Sequence, residues 1–529
     1  MKRIYKIESL LVSSLLFSAC ASKQALEPKK PLNIVHIMCD DHSFQTISAY
    51  GHPISQLAPT PNLDRLAAKG MLFNKAFVEN SLSTPSRACL MTGLYSHQNG
   101  QRYLGKGIDT TKIFFSEILQ QHGYQTGIVG KWHMQCEPKG FDYYSVVWDQ
   151  GDYYTPAFKT KESDGKYIKE EGYATTLITD HAINFLEKRD HDKPFCLLVH
   201  HKAPHRNWMP DTQYLDLYED VEFPYPETFN DDYITRCDAA RSQRMRIAED
   251  MTLIYDLKVN ELMKEEEKAA DIQWVDKAWK ESLERMTKEQ RDTWINAYKP
   301  KNEEFLKQNL QGKELVKWKY QRYLKDYLRC IKTIDDQVGR LLDYLEKEGL
   351  MENTAIVYTS DQGFYMGEHG WFDKRFMYEE SFRTPLIIYC PNQTNAGSVC
   401  NELVQNIDFA PTYLDLAGIE IPDQMEGCSL VPLLNGEIPT NWREYLYYHY
   451  YDAGHHVCRH DGVRDSRYKL IHFYGKVDNK PIQAEELYDL QNDPNELNNL
   501  YGKKEYKEVA ERMQNRLNKF RIDLKVDEY

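Results

Sequence analysis

The sequence predicts an α/β fold: a large, mostly parallel sheet flanked by helices over residues 31–440, followed by a smaller C-terminal antiparallel-sheet subdomain over 441–529. Three observations point there. Short, continuous apolar runs of the kind found in doubly covered parallel strands alternate with helical patterns. Each run ends in polar chemistry where a plain turn would serve. Beyond about Asn441 the pattern becomes aromatic and strand-like, as in residues 445–451. At 529 residues, with 41% hydrophobic and 28% charged side chains, the composition is that of an ordinary globular protein, which excludes a disordered, collagen-like or coiled-coil chain. A formal charge of −14 argues against nucleic acid as a partner, because phosphate backbones are held by Lys and Arg fields.

Taken in order, the first residues read as a leader. Lys2, Arg3 and Lys6 are basic, residues 10–17 form an apolar core too short to span a bilayer, and Phe17-Ser18-Ala19-Cys20 follows. This resembles a bacterial lipoprotein signal over residues 1–19, cleaved before Cys20 so that the cysteine carries the lipid, with 20–30 as a tether. It implies a lipid-anchored periplasmic protein that meets the membrane only through Cys20. Phe17 departs from the usual Leu, and an ordinary signal peptide cut near the same place is the alternative. Strands are expected at 33–39, 126–130, 195–200 and 354–360. They run into Asp40-Asp41, Lys131-Trp132-His133, His201-Lys202-Ala203-Pro204-His205 and Asp361-Gln362-Gly363. Helical patterns at 63–69, 113–122 and 177–188 lie between them. In such a sheet the ligand crevice lies outside the carboxyl ends of the strands, so all four polar clusters point to one edge.

From about 230 to 325 the sequence turns charged and helical, and reads either as a solvated insertion packed down by Trp274, Trp279 and Trp294 or as a lid over substrate. Residues 467–474 add a strand to the small sheet, and 504–520 close the chain as an amphipathic helix. The eleven cysteines show no C-x-x-C spacing, which removes zinc ribbons and thioredoxin motifs.

The most specific segment is Ser83-Thr84-Pro85-Ser86-Arg87-Ala88-Cys89-Leu90-Met91-Thr92-Gly93. Pro85 suits the first turn of a helix and Gly93 its stop, which puts Ser83 just before a helix N-terminus, where free N–H groups favour an anion. Asp40, Asp41, Asp361 and Gln362 offer only oxygen, the donor set of a hard cation and not of zinc. Consecutive strand residues face opposite ways, so both aspartates reach one ion only where the strand ends.

The Ser83–Gly93 segment matches the serine form of the type I sulfatase signature. Gly130-Lys131-Trp132-His133, Ala203-Pro204-His205, Ser360-Asp361-Gln362-Gly363, Gly367-Glu368-His369-Gly370 with Lys374, and the ending Glu486-Leu487-Tyr488-Asp489-Leu490 follow in the family order. On these motifs the chain is identified as a member of the formylglycine-dependent sulfatases. The resemblance implies an alkaline-phosphatase-like fold and Ser83 oxidised to formylglycine by a radical-type maturase before export. It also implies a calcium ion held by Asp40, Asp41, Asp361 and Gln362 together with Ser83. A hydrated aldehyde offers two geminal hydroxyls, one to attack sulfur and one to expel sulfate afterwards. By the same resemblance Arg87 holds the hydrate, and Lys131 and Lys374 offset charge on the sulfuryl oxygens. His133 is the base for the second hydroxyl, His205 or Lys374 serves the departing sugar oxygen, and His369 is a further substrate contact.

Residues 201–210, with the helical insertion behind them, look most like bacterial N-acetylglucosamine-6-O-sulfatases. That likeness implies 6-O-sulfated N-acetylglucosamine or glucosamine in heparan-type glycosaminoglycans or mucin glycans as substrate. Arg206 and Trp208 offer charge and ring surface of the kind sugar binding uses, and His455, His456, Arg459 and His460 are candidates to reach the saccharide from the second domain. Three alternatives stand beside this reading: a sulfatase for another position (N-acetylgalactosamine 6-sulfate or uronate 2-sulfate), a phosphoester hydrolase of the same superfamily, and a non-catalytic glycan-binding lipoprotein. The last would tolerate loss of Arg87, Lys131 or His133, and all three are present.

Overall fold

In the computed structural model, which describes residues 31–263, 273–453 and 456–529, ten of the described strands form one sheet. They are β1 (Asn33–Cys39), β2 (Met71–Phe73), β3 (Gln125–Lys131), β4 (Tyr143–Val147), β5 (Ala157–Thr160), β6 (Ile168–Lys169), β7 (Phe195–His201), β8 (Thr354–Ser360), β9 (Leu386–Tyr389) and β10 (Ser398–Cys400). Their spatial order is β10-β2-β9-β8-β1-β7-β3-β4-β5-β6. The leader, the tether with Cys20, residues 264–272 and His455 lie outside the described residues. The five central strands β8, β1, β7, β3 and β4 run parallel, and every residue of β1, β7 and β8 is buried. Two-sided cover is why these strands read as unbroken apolar runs. Antiparallel pairs occur toward the flanks, β9 with β8 and β2, and β5 with β4 and β6.

Register decides where the chemistry lands. Cys39 stands level with both His201 and Ser360, and Gly130 with His200, so the polar strand ends emerge at one edge. Gly130 makes this possible: its φ is 91°, and a Cβ there would lie 2.0 Å from the His200 carbonyl oxygen. No other residue lets β3 deliver Lys131 so close to β7.

The helices Pro61–Lys69, Phe115–Gln121 and Ala174–Lys188 cover the sheet near their expected positions. The expected helical insertion differs. Residues 230–263 are mostly irregular, with only the short helices Asp238–Ser242 and Asn260–Leu262. Regular helix resumes with Gln273–Glu284, Lys288–Gln308 and the 36-residue Gly312–Lys347. The boundary placed near 325 therefore falls inside a continuous helix. Tyr320, Tyr323, Leu324, Tyr327 and Leu328 recur on one side of that helix and join the main core, so its charged exterior belongs to a structural helix of the large domain. Trp279 and Trp294 are buried, whereas Trp274 is 57% exposed and touches the Tyr255 ring.

The C-terminal unit is a four-stranded antiparallel sheet of β11 (Leu446–Tyr450), β12 (His460–Arg464), β13 (Tyr468–Val477) and β14 (Lys480–Asp489). Alternation along its strands gives it two faces. Tyr447, Leu470 and Leu487 pack on Met513 and Leu517 of the closing helix Lys507–Asp523. Tyr448, Tyr450 and Phe473 join Trp371, Phe376 and Tyr378 of the large domain in one aromatic cluster, which braces the loop bearing Lys374. The ten described cysteines are all free, and no described helix is long and apolar enough to cross a membrane.

Candidate active site

The site is assembled at the carboxyl edge of β1, β3, β7 and β8. Asp40 and Asp41 follow β1, and Asp41 takes a φ of 66°, which breaks strand alternation and lets both carboxylates turn toward one space. The Asp41 amide donates to Asp361 Oδ1 at 3.1 Å. Ser83 is the first residue of helix Ser83–Thr92, one position further in than the sequence placed it. Leu82 is its extended N-cap, and Gly93, in the left-handed region, ends it. Ser83 Oγ donates to Asp40 Oδ1 at 2.9 Å. One turn on, Arg87 points to the same centre. Its Nε and Nη2 donate to Asp361 Oδ2 at 3.2 and 2.9 Å, and its Nη1 to the Lys131 carbonyl at 2.8 Å.

Three cations meet three carboxylates here, all sealed from solvent. Lys131 Nζ donates to Asp40 Oδ2 and, at 2.5 Å, to Gln150 Oε1. Lys374 Nζ lies 2.7 Å from both oxygens of Asp41. Arg87 takes Asp361. Burial alone would raise Asp40, but Lys131, helped by His205, Arg87 and Lys374, holds its carboxyl well below the usual carboxylate range. At Asp361 burial wins: its carboxyl is pushed up to about 7, with the Asp40 charge adding to the rise. Burial raises Asp41 as well, in spite of Lys374. Carboxylates that resist ionising together gain most from an added cation.

The residues fit a hard cation. Asp40, Asp41, Asp361 and Gln362 bring only oxygen acceptors, and Gln362 Oε1 is buried without a hydrogen-bond partner. The amide's Nε2 donates to Asp41 Oδ1 and stands 3.5 Å from Ser83 Oγ. An unpartnered buried carbonyl beside three carboxylates is the acceptor a cation takes up. A nitrogen stands close to these oxygens as well: Asp40, Asp41 and His205 bring one atom each to within 4.8 Å of one another. His205 Nδ1 lies 2.8 Å from the Arg206 carbonyl oxygen, so it carries the proton, and Nε2, 3.9 Å from Asp41 Oδ2, is the bare nitrogen.

His133 Nδ1 lies 3.2 Å from Thr84 Oγ1, and its Nε2 is 3.2 Å from both Asp149 Oδ1 and Gln150 Nε2. Burial, then the Lys131 charge, pushes its imidazole down to about 4, so it is neutral at pH 7. His200 Nδ1 sits between Arg87 Nη1 at 3.3 Å and the Lys131 carbonyl at 3.2 Å. Gln150 and Asp149 escaped the sequence reading as site groups, because single polar residues in loops carry no spacing signal; Thr84 lies within the Ser83–Gly93 segment with no role of its own assigned from sequence, and His200 reads there as a structural residue of its strand.

The residues expected to contact saccharide separate. His456 stands at the border of the site, its Nε2 4.0 Å from Asp373 Oδ2 beside Lys374. Arg206 lines the neighbouring cleft but grips Asp256 with both arms, at 2.6 and 2.7 Å. Trp208 has no exposed surface, because Tyr323 of the long helix, Phe364 and Phe372 close over it. His369 is equally sealed, with Nδ1 2.8 Å from Asp231 Oδ2. Arg459 donates to Glu528 Oε1 at 2.6 Å, and His460 is a buried β12 residue stacked on the Tyr448 and Tyr450 rings. An open cleft of about 660 Å³ adjoins His205 instead, walled by Trp148, Lys202, Asn207, Tyr255 and residues of helix Gln273–Glu284. Trp148, 60% exposed, offers the ring surface that Trp208 does not.

Residues 32–419 match the sulfatase family, and residues 367–523 match the C-terminal region of N-sulphoglucosamine sulphohydrolase. The chain belongs to the sulfatase family and is a hydrolase of sugar sulfates. It is 47% identical to N-acetylglucosamine-6-O-sulfatase of Bacteroides thetaiotaomicron over 513 residues, 96% of this chain and 89% of that one. A solved structure in complex with its substrate D-glucosamine-2-N,6-O-disulfate superposes with a TM-score of 0.88 at 46% identity, covering 94% of this chain and 99% of that chain. The human N-acetylglucosamine-6-sulfatase is 25% identical over 490 residues, 82% of this chain and 75% of the relative.

Proposed function

We propose that this enzyme removes the 6-O-sulfate of N-acetylglucosamine or glucosamine in glycosaminoglycan or mucin fragments, using formylglycine made from Ser83 and a calcium ion. The observation that carries the reading is the convergence on Ser83 of three buried cations, three carboxylates and an unpartnered amide carbonyl. The 47% identity to an N-acetylglucosamine-6-O-sulfatase supports the sugar and the position. Asp40, Asp41, Asp361 and Gln362, with Ser83, would hold the cation, which supplies Lewis-acid stabilisation of a sulfuryl oxygen. The aldehyde supplies, once hydrated, a hydroxyl nucleophile in place of the weak serine.

Arg87 orients that nucleophile, since Asp361 and the Lys131 carbonyl lock its guanidinium. Lys131 and Lys374, desolvated in advance, meet charge as it builds on the sulfuryl oxygens without reorganising. His133, neutral and backed by Thr84, would accept the proton of the second hydroxyl, the one that expels sulfate. Lys374 polarises the departing sugar oxygen, and His205 joins it only after Nε2 takes up a proton. The leader supports export and lipid anchoring through Cys20 in the periplasm, and the serine-type signature supports a radical-type maturase acting beforehand.

Sulfate release from 6-sulfated N-acetylglucosamine, 6-sulfated N-acetylgalactosamine and 2-sulfated uronate, measured side by side, tests the substrate. The first should be cleaved at least about tenfold faster, the discrimination a shaped polar pocket provides. A preference for either of the others overturns the assignment. Chelation should abolish turnover and calcium restore it; restoration by zinc alone would contradict the oxygen donor set.

A further inference from the structure

The cleft beside His205 is lined by several cations, and they are not alike. Arg206 is clamped by Asp256, and Arg285 is held by Asp152 at 3.0 Å. Lys169 lies exposed at the end of β6. Lys202 is only 5% exposed, and among the described residues the carboxylates that act on its ammonium, those of Asp40, Asp152 and Asp41, do so from beyond ion-pair distance. Its close contact is the ring of Tyr153, with Nζ 4.6 Å from the centroid. Every other buried cation at this edge has its carboxylate: Lys131 has Asp40, Lys374 has Asp41 and Arg87 has Asp361. Desolvating an ammonium with no carboxylate in contact is costly, and an anion that reaches it offsets the cost.

Position narrows what that anion is. Lys202 leaves β7 three residues before His205, and its chain runs past Gly151, where an added Cβ would lie 3.5 Å from Lys202 Cδ. It therefore borders both the sulfate pocket and the outer cleft, and its anion belongs to the saccharide whose ester sulfate lies in the pocket. We propose that Lys202 pairs with a second anionic substituent on that saccharide and so makes doubly charged saccharides the preferred substrates. This rests on the proposed function, in which the cleft receives the sugar. An N-sulfate on the same ring and the carboxylate of an adjoining uronate both present the oxygen anion an ammonium binds, whereas an N-acetyl group does not.

The test is kcat/KM of the wild type, Lys202→Met and Lys202→Arg on three substrates. These are 6-sulfated N-acetylglucosamine, glucosamine 2-N,6-O-disulfate, and a disaccharide of 6-sulfated N-acetylglucosamine linked to a uronic acid. Lys202→Met should lose about tenfold more on one of the doubly charged substrates than on the singly charged one, the scale of a charge-assisted hydrogen bond, and Lys202→Arg should recover most of that excess. Which substrate suffers identifies the source of the anion. Equal losses on all three, or none on any, overturn the proposal, with the melting temperature establishing that the variants are folded. Should Lys202→Met not fold, Lys202→Gln keeps a polar side chain of similar length and gives the same comparison. A wild type that cleaves none of the three shows the proposed function itself to be wrong, and this proposal with it.

Discussion

Two clusters of buried charge, one at the carboxyl edge of the main sheet and one inside the C-terminal sheet, use the same residue types for opposite ends. In the C-terminal sheet Arg521 donates to both oxygens of Asp461 at 2.8 and 2.7 Å, and His472 Nδ1 lies 2.9 Å from the same carboxylate. Lys469 stands 2.8 Å from Glu379 and from Glu496. Each charge there meets its complement within the chain. At the sheet edge Asp40, Asp41 and Asp361 also have cations, yet Gln362 Oε1 is unpartnered and Ser83 and His205 Nε2 face the same gap. Burial does not separate the two clusters, since both are sealed. What separates them is what the charges surround: in the C-terminal sheet they pair off around one another and brace the fold, whereas at the sheet edge they converge on Ser83 and an amide carbonyl that no cation among the described residues meets.

Breaking each cluster sharpens the contrast. Arg521→Ala strands Asp461 and should cost about 3 to 5 kcal/mol in denaturant-melt stability, while turnover per folded molecule stays near wild type. Burial opposes ionisation of Asp461, but His472 and Arg521 hold its carboxyl below the usual range. Its contribution is therefore present above the ordinary carboxylate pKa and lost as pH falls through the lower folded value, and Arg521→Ala should flatten that acid limb. Lys131→Ala reverses the pattern, with turnover falling by about a hundredfold or more as a pre-placed charge donor is lost. Trp148→Ala should lower cleavage of a sulfated saccharide by roughly threefold to tenfold relative to a small aryl sulfate, as a lost ring face would. Its stability should stay within about 0.5 kcal/mol, whereas Trp208→Ala should unfold the protein earlier with no such selectivity. Smallest of all, Arg459→Ala removes an exposed pair with Glu528 worth under about 1 kcal/mol and should leave the ratio between the two substrates as it is. A selective loss on the saccharide would instead bring Arg459 into the cleft.

The sulfate pocket was legible because its residues sit where backbone rules are strict: strands must end, a helix must start after Leu82, and two adjacent aspartates must turn at a strand end. The wall of the cleft was not. Trp148 and Trp208 are alike in sequence, and only segments more than a hundred residues downstream, which bring Tyr323, Phe364 and Phe372 over Trp208, cover one and leave the other open. His460 reads as a polar rim residue until strand pairing turns it inward among aromatic rings. Arg206 reads as a free cation until Asp256 is folded against it. Lone polar residues show their roles only when distant segments close around them.

The central claim is that Ser83 becomes the nucleophile, and peptide mass spectrometry on active protein tests it most directly. The tryptic peptide of residues 76–87 carries this position. It should show a deficit of about 2 Da localised to Ser83, the mark of a serine oxidised to an aldehyde, and the modified fraction should scale with specific activity across preparations. Full activity from protein in which Ser83 is wholly unmodified serine would contradict the account.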